Sequence, residues 1–382
     1  MSIQFLDNTQ SPARIRVIGV GGCGGNIIRY LQDRHVSGIE YAAVNTDSQA
    51  LASIQGVECV HIGEGLTRGL GAGADPKLAA QAAEEESRRL QELVRGCDMV
   101  FITAGMGKGT GTGASPIIAR LAREEKALTV AVVTSPFDHE RRGASAINGI
   151  EALSKEVDSL LVVPNAKLQD VLGNDVMLKD ALAAANGVLY NAVCGISEII
   201  TKPGEMNLDF NDVRAVMSAK GKAVMGSACA TGTDRATAAA QEALCCPLME
   251  DVDLSSASHF LVNITASGDY IRLSEADAVH AVIDEKAPNC RNERFVGLVY
   301  DESMGEEIRV TIIATGINGE AQAMEFSAAA VGGGAPDLEV IRSGIKDPCF
   351  MPARQRHRQE QLREKLGGDE RKVPTIMRRQ CN

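Results

Sequence analysis

Along the first half of the chain, apolar residues come in short unbroken runs, each closed by a glycine-rich or polar turn. Arg14-Ile-Arg-Val-Ile-Gly-Val20, residues 39–44, Met99-Val-Phe-Ile-Thr103, Leu128-Thr-Val-Ala-Val-Val-Thr134 and Ser159-Leu-Leu-Val-Val163 have the length and β-branched content of buried strands. Helical patterns fill the gaps. One opens at Asn26-Ile-Ile-Arg-Tyr-Leu, a polar one covers 77–95, and Ala114-Ser-Pro-Ile-Ile-Ala-Arg-Leu-Ala-Arg carries Pro116 in its expected first turn. Strands alternating with helices, with every glycine or polar loop at a strand's carboxyl end, predict a doubly wound α/β domain. Its ligand crevice should lie along that edge.

The period then changes. Leu182, Ala185, Leu189, Val193, Ile196 and Ile200 recur at helical spacing and predict one long, mostly buried helix over 179–201, stopped by Lys202-Pro-Gly204. A polar loop, Glu205 to Arg214, opens a short helix. Residues 224–318 read as a second, α+β domain. Its strands are Phe260-Leu-Val-Asn-Ile-Thr265, Phe295-Val-Gly-Leu-Val-Tyr300 and Ile308-Arg-Val-Thr-Ile-Ile-Ala314, with helices near 234–245 and 274–286. The expected divisions are a flexible extension at 1–13, a nucleotide domain at 14–178, the helix and its loop at 179–223, the α+β domain at 224–318, a linker at 319–372 and a terminal peptide at 373–382.

Composition narrows the function classes. The 382 residues are 45% hydrophobic and 23% charged, as in a soluble globular protein of two or three domains. A net charge of −11, 3% aromatic residues and no Trp argue against nucleic-acid binding. From Arg342 onward, however, eleven Lys and Arg face five Asp and Glu. The ten cysteines form no Cys-x-x-Cys pair, and Cys245-Cys246 are adjacent, so reduced thiols in a cytosolic protein are expected. No signal-peptide pattern opens the chain, and no unbroken apolar run reaches the roughly 18 residues of a membrane span.

Glycine carries the chemistry. In Gly105-Met-Gly-Lys-Gly-Thr-Gly-Thr-Gly113 every second residue lacks a side chain, so the backbone can press on a ligand. Between a strand and a helix, its N–H groups suit a phosphate. Gly19-Val-Gly-Gly-Cys-Gly24 fits G-x-G-x-x-G, a pattern shared by dinucleotide and mononucleotide sites. Asp47, about 20 residues on, matches the ribose-binding acid of a dinucleotide site and keeps an NAD-dependent oxidoreductase open. Gly69-Leu-Gly-Ala-Gly-Ala-Asp-Pro76 is a third glycine loop. Three such loops and the lack of a convincing catalytic His/Lys pair weigh against that oxidoreductase.

These motifs, with Asn45-Thr-Asp47, Pro164-Asn165, Met206-Asn-Leu-Asp-Phe-Asn-Asp-Val-Arg214, Val262-Asn-Ile-Thr-Ala266 and Arg309-Val-Thr-Ile-Ile-Ala-Thr-Gly316, occur in the order found in the FtsZ family of bacterial tubulin-like GTPases. The chain resembles that family over residues 14–318. The resemblance implies a Rossmann-like GTPase domain joined by a long central helix to the α+β domain. It implies Gly22, Cys23, Gly24, Gly25 and Asn26 under the phosphates of GTP or GDP, Ala72 and Gly73 near the γ-phosphate, and Gly109, Thr110 and Gly111 as the main phosphate loop. Glu140 and Arg142 would lie near the ribose, and Asn165 and Asn186 would read the guanine. Asn207, Asp209 and Asp212 would come from the next subunit of a head-to-tail filament to complete hydrolysis, with Mg²⁺ offsetting phosphate charge. On spacing alone, Asp209 and Asp212 read as a solvated turn and helix cap. The resemblance further implies a cytoplasmic protein of the mid-cell division ring, with membrane adaptors bound through the terminal peptide.

The chain departs from the family pattern in places. Lys108 stands where the family has Gly, and either swings to solvent or sets a charge beside the phosphates. The segment between Glu140 and Arg142 is two residues shorter. Leu182 replaces a Phe beside the base, and Gly187 replaces an Asp. Two readings stay open: a normal filament-forming GTPase, or a divergent paralogue that binds GTP and assembles but hydrolyses poorly.

Overall fold

A computed structural model describes residues 13–172, 176–202, 208–219, 221–246, 248–249, 252–286 and 294–317. The expectations for residues 1–12, Asn207, the linker and the terminal peptide lie outside the described residues.

Six strands run parallel: β1 (Ile15–Val20), β2 (Ile39–Asn45), β3 (Glu58–His61), β4 (Met99–Gly105), β5 (Leu128–Ser135) and β6 (Ser159–Pro164). They stand in the order β3-β2-β1-β4-β5-β6, the doubly wound arrangement that the alternation predicts. Four more strands, β7 (Lys222–Ala230), β8 (His259–Ala266), β9 (Arg294–Tyr300) and β10 (Ile308–Ile317), extend the row as β7-β10-β8-β9. The join is slight: Leu161 of β6 opposite Ala223 of β7. On either side of it sits a separate core, one around Ile18, Ile102, Ile118 and Val133, the other around Phe260, Ile264, Ile283 and Ile312.

The sequence pattern does not predict β7, because Lys222-Ala-Val-Met-Gly-Ser-Ala-Cys-Ala230 is small and weakly β-forming. Packing decides it. A Cβ on Gly226 would sit 1.8 Å from the Ala243 carbonyl oxygen, so the bare backbone lets the helix Arg235–Leu244 lie directly on the strand. The expected polar helix over 77–95 is two helices, Pro76–Glu85 and Ser87–Val94, divided where Glu86 leaves helical geometry (φ −98, ψ 15).

The long helix is continuous over Leu178–Thr201, about 36 Å at 1.5 Å per residue. It packs against both halves. Asn263 of β8 donates to the Gly195 carbonyl at 3.2 Å, and Arg309 of β10 pairs with the buried Glu198 at 3.1 Å. Lys202 also pairs with Glu198, at 2.9 Å, and reaches Asp301 at 3.5 Å. By length and mean hydropathy this helix could cross a membrane, although no unbroken apolar run signals it; two-thirds of it is buried, as in a core helix. Leu182 departs from its predicted core role: it is 47% exposed. Six described cysteines are free thiols, but Cys229 is disulfide-bonded, against the expectation of reduced thiols throughout.

Candidate nucleotide-binding site

The strand order reverses between β1 and β4, and loops that leave such a reversal point diverge and open a crevice. The register sets Val20 opposite Ala104, so Gly21 and Gly105 leave the sheet side by side. Both helices beyond these strands start earlier than the sequence pattern predicts. The glycines at 21–25 are the first turn of the helix Gly21–Gln32, not a loop before a helix at Asn26. The second helix begins at Thr110 rather than Ala114, with Pro116 inside it. Missing side chains permit this. A Cβ on Gly111 would lie 2.5 Å from the Gly105 carbonyl oxygen, and one on Gly113 would lie 2.0 Å from that of Pro76. Two helix N-termini therefore converge at the crevice, each with first-turn N–H groups that the helix itself cannot satisfy.

The third glycine segment closes one side. A Cβ on Gly109 would lie 2.9 Å from Ala72 Cβ, so the 72–75 turn rests on the loop after β4. Thr46 and Thr110 share a hydroxyl hydrogen bond of 2.7 Å. The sequence places Thr46 in the Asn45-Thr-Asp47 motif but gives it no role; its place beside Thr110 arises from the pairing of β1 with both β2 and β4, which local pattern does not reveal. The Asp47 carboxylate accepts from the N–H groups of Gln49 and Ala50 at 2.9 and 3.1 Å, capping the helix Ser48–Ala52. The acid that a dinucleotide site would turn toward ribose is thus engaged in its own chain, which removes the main support for that reading. Asp75 caps the helix Pro76–Glu85 in the same way.

Gly22 and Gly73 behave differently from their neighbours. A Cβ on either would meet nothing within 4 Å. Gly73 has a conformational reason to be glycine, at φ +57, but Gly22 is exposed and helical. Protein packing does not demand glycine at position 22. Open space beside two helix N-termini is room for an anion.

Across the crevice, Glu140 ends a short turn after β5. One of its carboxylate oxygens accepts from the Phe137 N–H at 3.2 Å, and the other lies 3.8 Å from Lys108 Nζ. Arg141 takes a left-handed conformation (φ +52), and Arg142 then stands at the N-terminal boundary of the helix Gly143–Ser154 without a side-chain capping bond. Arg142 Cβ and its carbonyl oxygen lie 3.2 Å from the Cβ position of Gly107, so the shortened segment still brings Arg142 against the phosphate loop. Cys23 lies 3.8 Å from the Thr134 hydroxyl. Burial pushes its thiol pKa up, the Thr134 contact and the Lys108 charge oppose this, and Glu140 adds to it.

Asn165 begins the helix after β6 and is 7% exposed, and its side-chain carbonyl oxygen has no hydrogen-bond partner among the described residues. Unpaired buried acceptors are uncommon and mark places where a ligand or water completes the bonding. Asn186 is half-buried on the long helix, and the bare Gly187 beside it has the Tyr30 hydroxyl 3.5 Å from its Cβ position. Asn26 is exposed, its side-chain oxygen bonded to Arg29.

Asp209 and Asp212 are not brought to this crevice. Thr201, at the end of the long helix, packs on Gly38 just ahead of β2, where a Cβ would lie 2.9 Å from its methyl group. The helix Phe210–Met217 is tied to the last turn of β10 through Thr315 Oγ1 donating to the Val216 carbonyl at 2.7 Å. Both contacts are at the end of the sheet where the parallel strands begin. There Asp209 and Asp212 form a reciprocal cap: each side chain accepts from the other's N–H, at 2.8 and 3.1 Å. Among the described residues no three His, Cys, Asp or Glu cluster as metal ligands.

Residues 14–173 match the model of the tubulin/FtsZ family GTPase domain, and residues 221–318 that of the FtsZ family C-terminal domain. The chain is 48% identical over 307 residues to the cell division protein FtsZ of Buchnera aphidicola subsp. Baizongia pistaciae, covering 80% of this chain and 79% of that one. It is 43% identical over 316 residues to FtsZ of Pseudomonas aeruginosa, covering 82% and 80%. Among solved structures, an empty FtsZ dimer of M. jannaschii superposes with a TM-score of 0.75 at 40% identity, covering 81% of this chain and 90% of that one.

Proposed function

The chain belongs to the FtsZ family of tubulin-like, self-assembling GTPases of cell division, and on that premise we propose how its residues divide the work. The phosphates of GTP or GDP lie over Gly22, Cys23, Gly24, Gly25 and Asn26 on one side and Gly109, Thr110 and Gly111 on the other, with Ala72 and Gly73 at the terminal phosphate. Two converging helix N-termini and the open space at Gly22 support this. The guanine takes the free acceptor of Asn165 and the amide of Asn186, while Glu140 and Arg142 flank the ribose. An ammonium or ring N–H donor satisfies Asn165, and guanine supplies the latter.

Hydrolysis needs a group that orients water, and the glycine loops offer none. Asn207, Asp209 and Asp212 are the candidates. Their loop follows the far end of a helix about 36 Å long, so a second copy stacked head to tail presents them to the phosphates. Leu70 and Met177, 80% and 74% exposed and at the crevice end of the molecule, support a covering neighbour there, as does the dimer of the 40% identical relative. Mg²⁺ fits as a phosphate-bound ion rather than one caged by protein, since the described residues supply no three-ligand cluster. Its chemistry is charge neutralisation on the phosphates. Residues 373–382 dock membrane adaptors at the cytoplasmic face of the division site.

The single observation carrying this reading is the separation of the phosphate loops from the Asp209–Asp212 pair. The test is complementation. Asp212→Asn should bind GTP but not turn it over, and Thr110→Ala should be inactive alone. A mixture should recover activity, because the intact Asp212 of one subunit faces GTP held by the other. Full-rate hydrolysis by a dilute, demonstrably monomeric sample rules the shared site out.

A further inference from the structure

Lys108 is the one charged residue in the stretch from Gly105 to Gly113. Its backbone has little freedom. Gly107 sits at φ +97, and Gly109 is pressed on Ala72. The side chain therefore starts from a fixed point two residues ahead of the helix Thr110–Glu124. It is two-thirds exposed, and it turns to the rim of the crevice rather than away from it, ending 3.8 Å from Glu140. Its charge also reaches the Cys23 thiol in the first turn of the facing helix. The ammonium thus stands at the rim of the crevice, beside the start of the helix Thr110–Glu124.

The contact with Glu140 is long and exposed, a kind of ion pair that contributes little and breaks readily. A triphosphate carries several negative charges at close range and outcompetes one carboxylate. A lysine in a glycine-rich phosphate loop at a helix start is also a general solution for the outer phosphates of a nucleotide. We propose that Lys108 is a phosphate-binding residue: from its place 3.8 Å from Glu140 its ammonium exchanges this carboxylate for the terminal phosphate of GTP. The exchange frees Glu140 for the ribose, gives the triphosphate an advantage over the diphosphate, and supplies part of the neutralisation that otherwise falls to Mg²⁺. This role for Lys108 rests on the crevice being a nucleotide site.

Equilibrium binding of GTP and of GDP to the full chain tests it, in EDTA and in Mg²⁺, with Lys108→Met and the charge-preserving Lys108→Arg. In EDTA, Lys108→Met should lose roughly tenfold in GTP affinity, the scale of one charge-assisted contact, while GDP affinity changes less than about threefold. Lys108→Arg should keep the preference for GTP, and Mg²⁺ should shrink the deficit of Lys108→Met. Amine acylation read by mass spectrometry should show Lys108 protected by GTP more than by GDP. Equal losses for the two nucleotides, or no loss for either, overturn the assignment. Failure of the unmodified protein to bind GTP would instead overturn the nucleotide reading beneath it.

Discussion

The two ends of the parallel strands are built on opposite terms. Where the strands begin, charge meets charge within the chain. Arg14 and Arg16 both pair with Glu40, Arg16 also reaches Glu58 and the Leu93 carbonyl, and the Arg14 N–H donates to Asp98. Where the strands end, Asn165 keeps an unpaired acceptor, Gly22 faces open space, and two helices point their N-termini at one crevice. At the first end charged side chains find partners within the chain, although the buried Ser159 hydroxyl there has none among the described residues; at the second, an amide oxygen and two helix N-termini are left for something the chain lacks. Asp209 and Asp212 belong to the first kind inside one subunit, since each caps the other. A neighbouring copy would move them to the second.

That contrast breaks most visibly at Asp212. Asp212→Asn keeps an acceptor for the cap yet removes the carboxylate. Hydrolysis should fall at least about 100-fold, the usual scale for a lost general base, with GTP affinity within about twofold of the unmodified protein. Equal losses of binding and turnover would return Asp212 to a purely structural role.

Glycines offer the next test. Gly113→Ala places a Cβ 2.0 Å from the Pro76 carbonyl oxygen and should destabilise the fold by about 3 kcal/mol or more. Gly22→Ala meets no atom and should leave stability unchanged or raise it by about 1 kcal/mol or less, while GTP affinity drops. Calorimetry and nucleotide binding on the same two variants separate a glycine needed by packing from one needed by a ligand.

Asn165→Ala removes a buried acceptor that has no partner among the described residues. Its thermal midpoint should hardly move, yet the preference for GTP over ATP should fall about tenfold, as one neutral hydrogen bond commands. A large loss of stability with selectivity intact would mean that Asn165 serves the fold.

The smallest effect belongs to the self-satisfied end. The Glu40 carboxyl is held down to about 2, chiefly by the hydrogen bond from Arg14 and also by Arg16. Because the folded value lies below the ordinary 4.5, the stabilisation is complete above that value and fades as pH falls from about 4.5 toward 2. The pair is partly exposed, so salt weakens it. Glu40→Gln should lower the thermal midpoint slightly at neutral pH, with the gap narrowing on acidification and at high ionic strength. A gap constant from pH 7 to pH 3 would deny these pairs any part in stability.

Much of the fold is legible in the sequence for reasons that are local. Runs such as Leu128 to Thr134 are too apolar to be anything but covered strand, and the spacing from Ala185 to Ile200 closes one face of a helix. Alternate glycines at 105–113 announce a phosphate loop because few other demands on backbone explain them. Local pattern fails where contact partners decide. It sets both helix starts too late, since only the approach of Gly105 to Gly111 shows that glycine backbone continues into helix. It misses β7, whose small residues become strand under the helix Arg235–Leu244, and it buries Leu182, which periodicity cannot distinguish from its covered neighbours.

The sequence by itself determined which backbone segments could approach an anion and which had to be buried, because side-chain volume and apolar surface are properties of single residues and their spacing. Only the tertiary structure decided what those segments meet. The reversal of strand order between β1 and β4 sets two helix N-termini on one point, and a continuous 24-residue helix sends Asp209 and Asp212 to the other end of the sheet. Distance between residues far apart in the chain depends on strand order, register and helix rigidity, none of which any local stretch encodes.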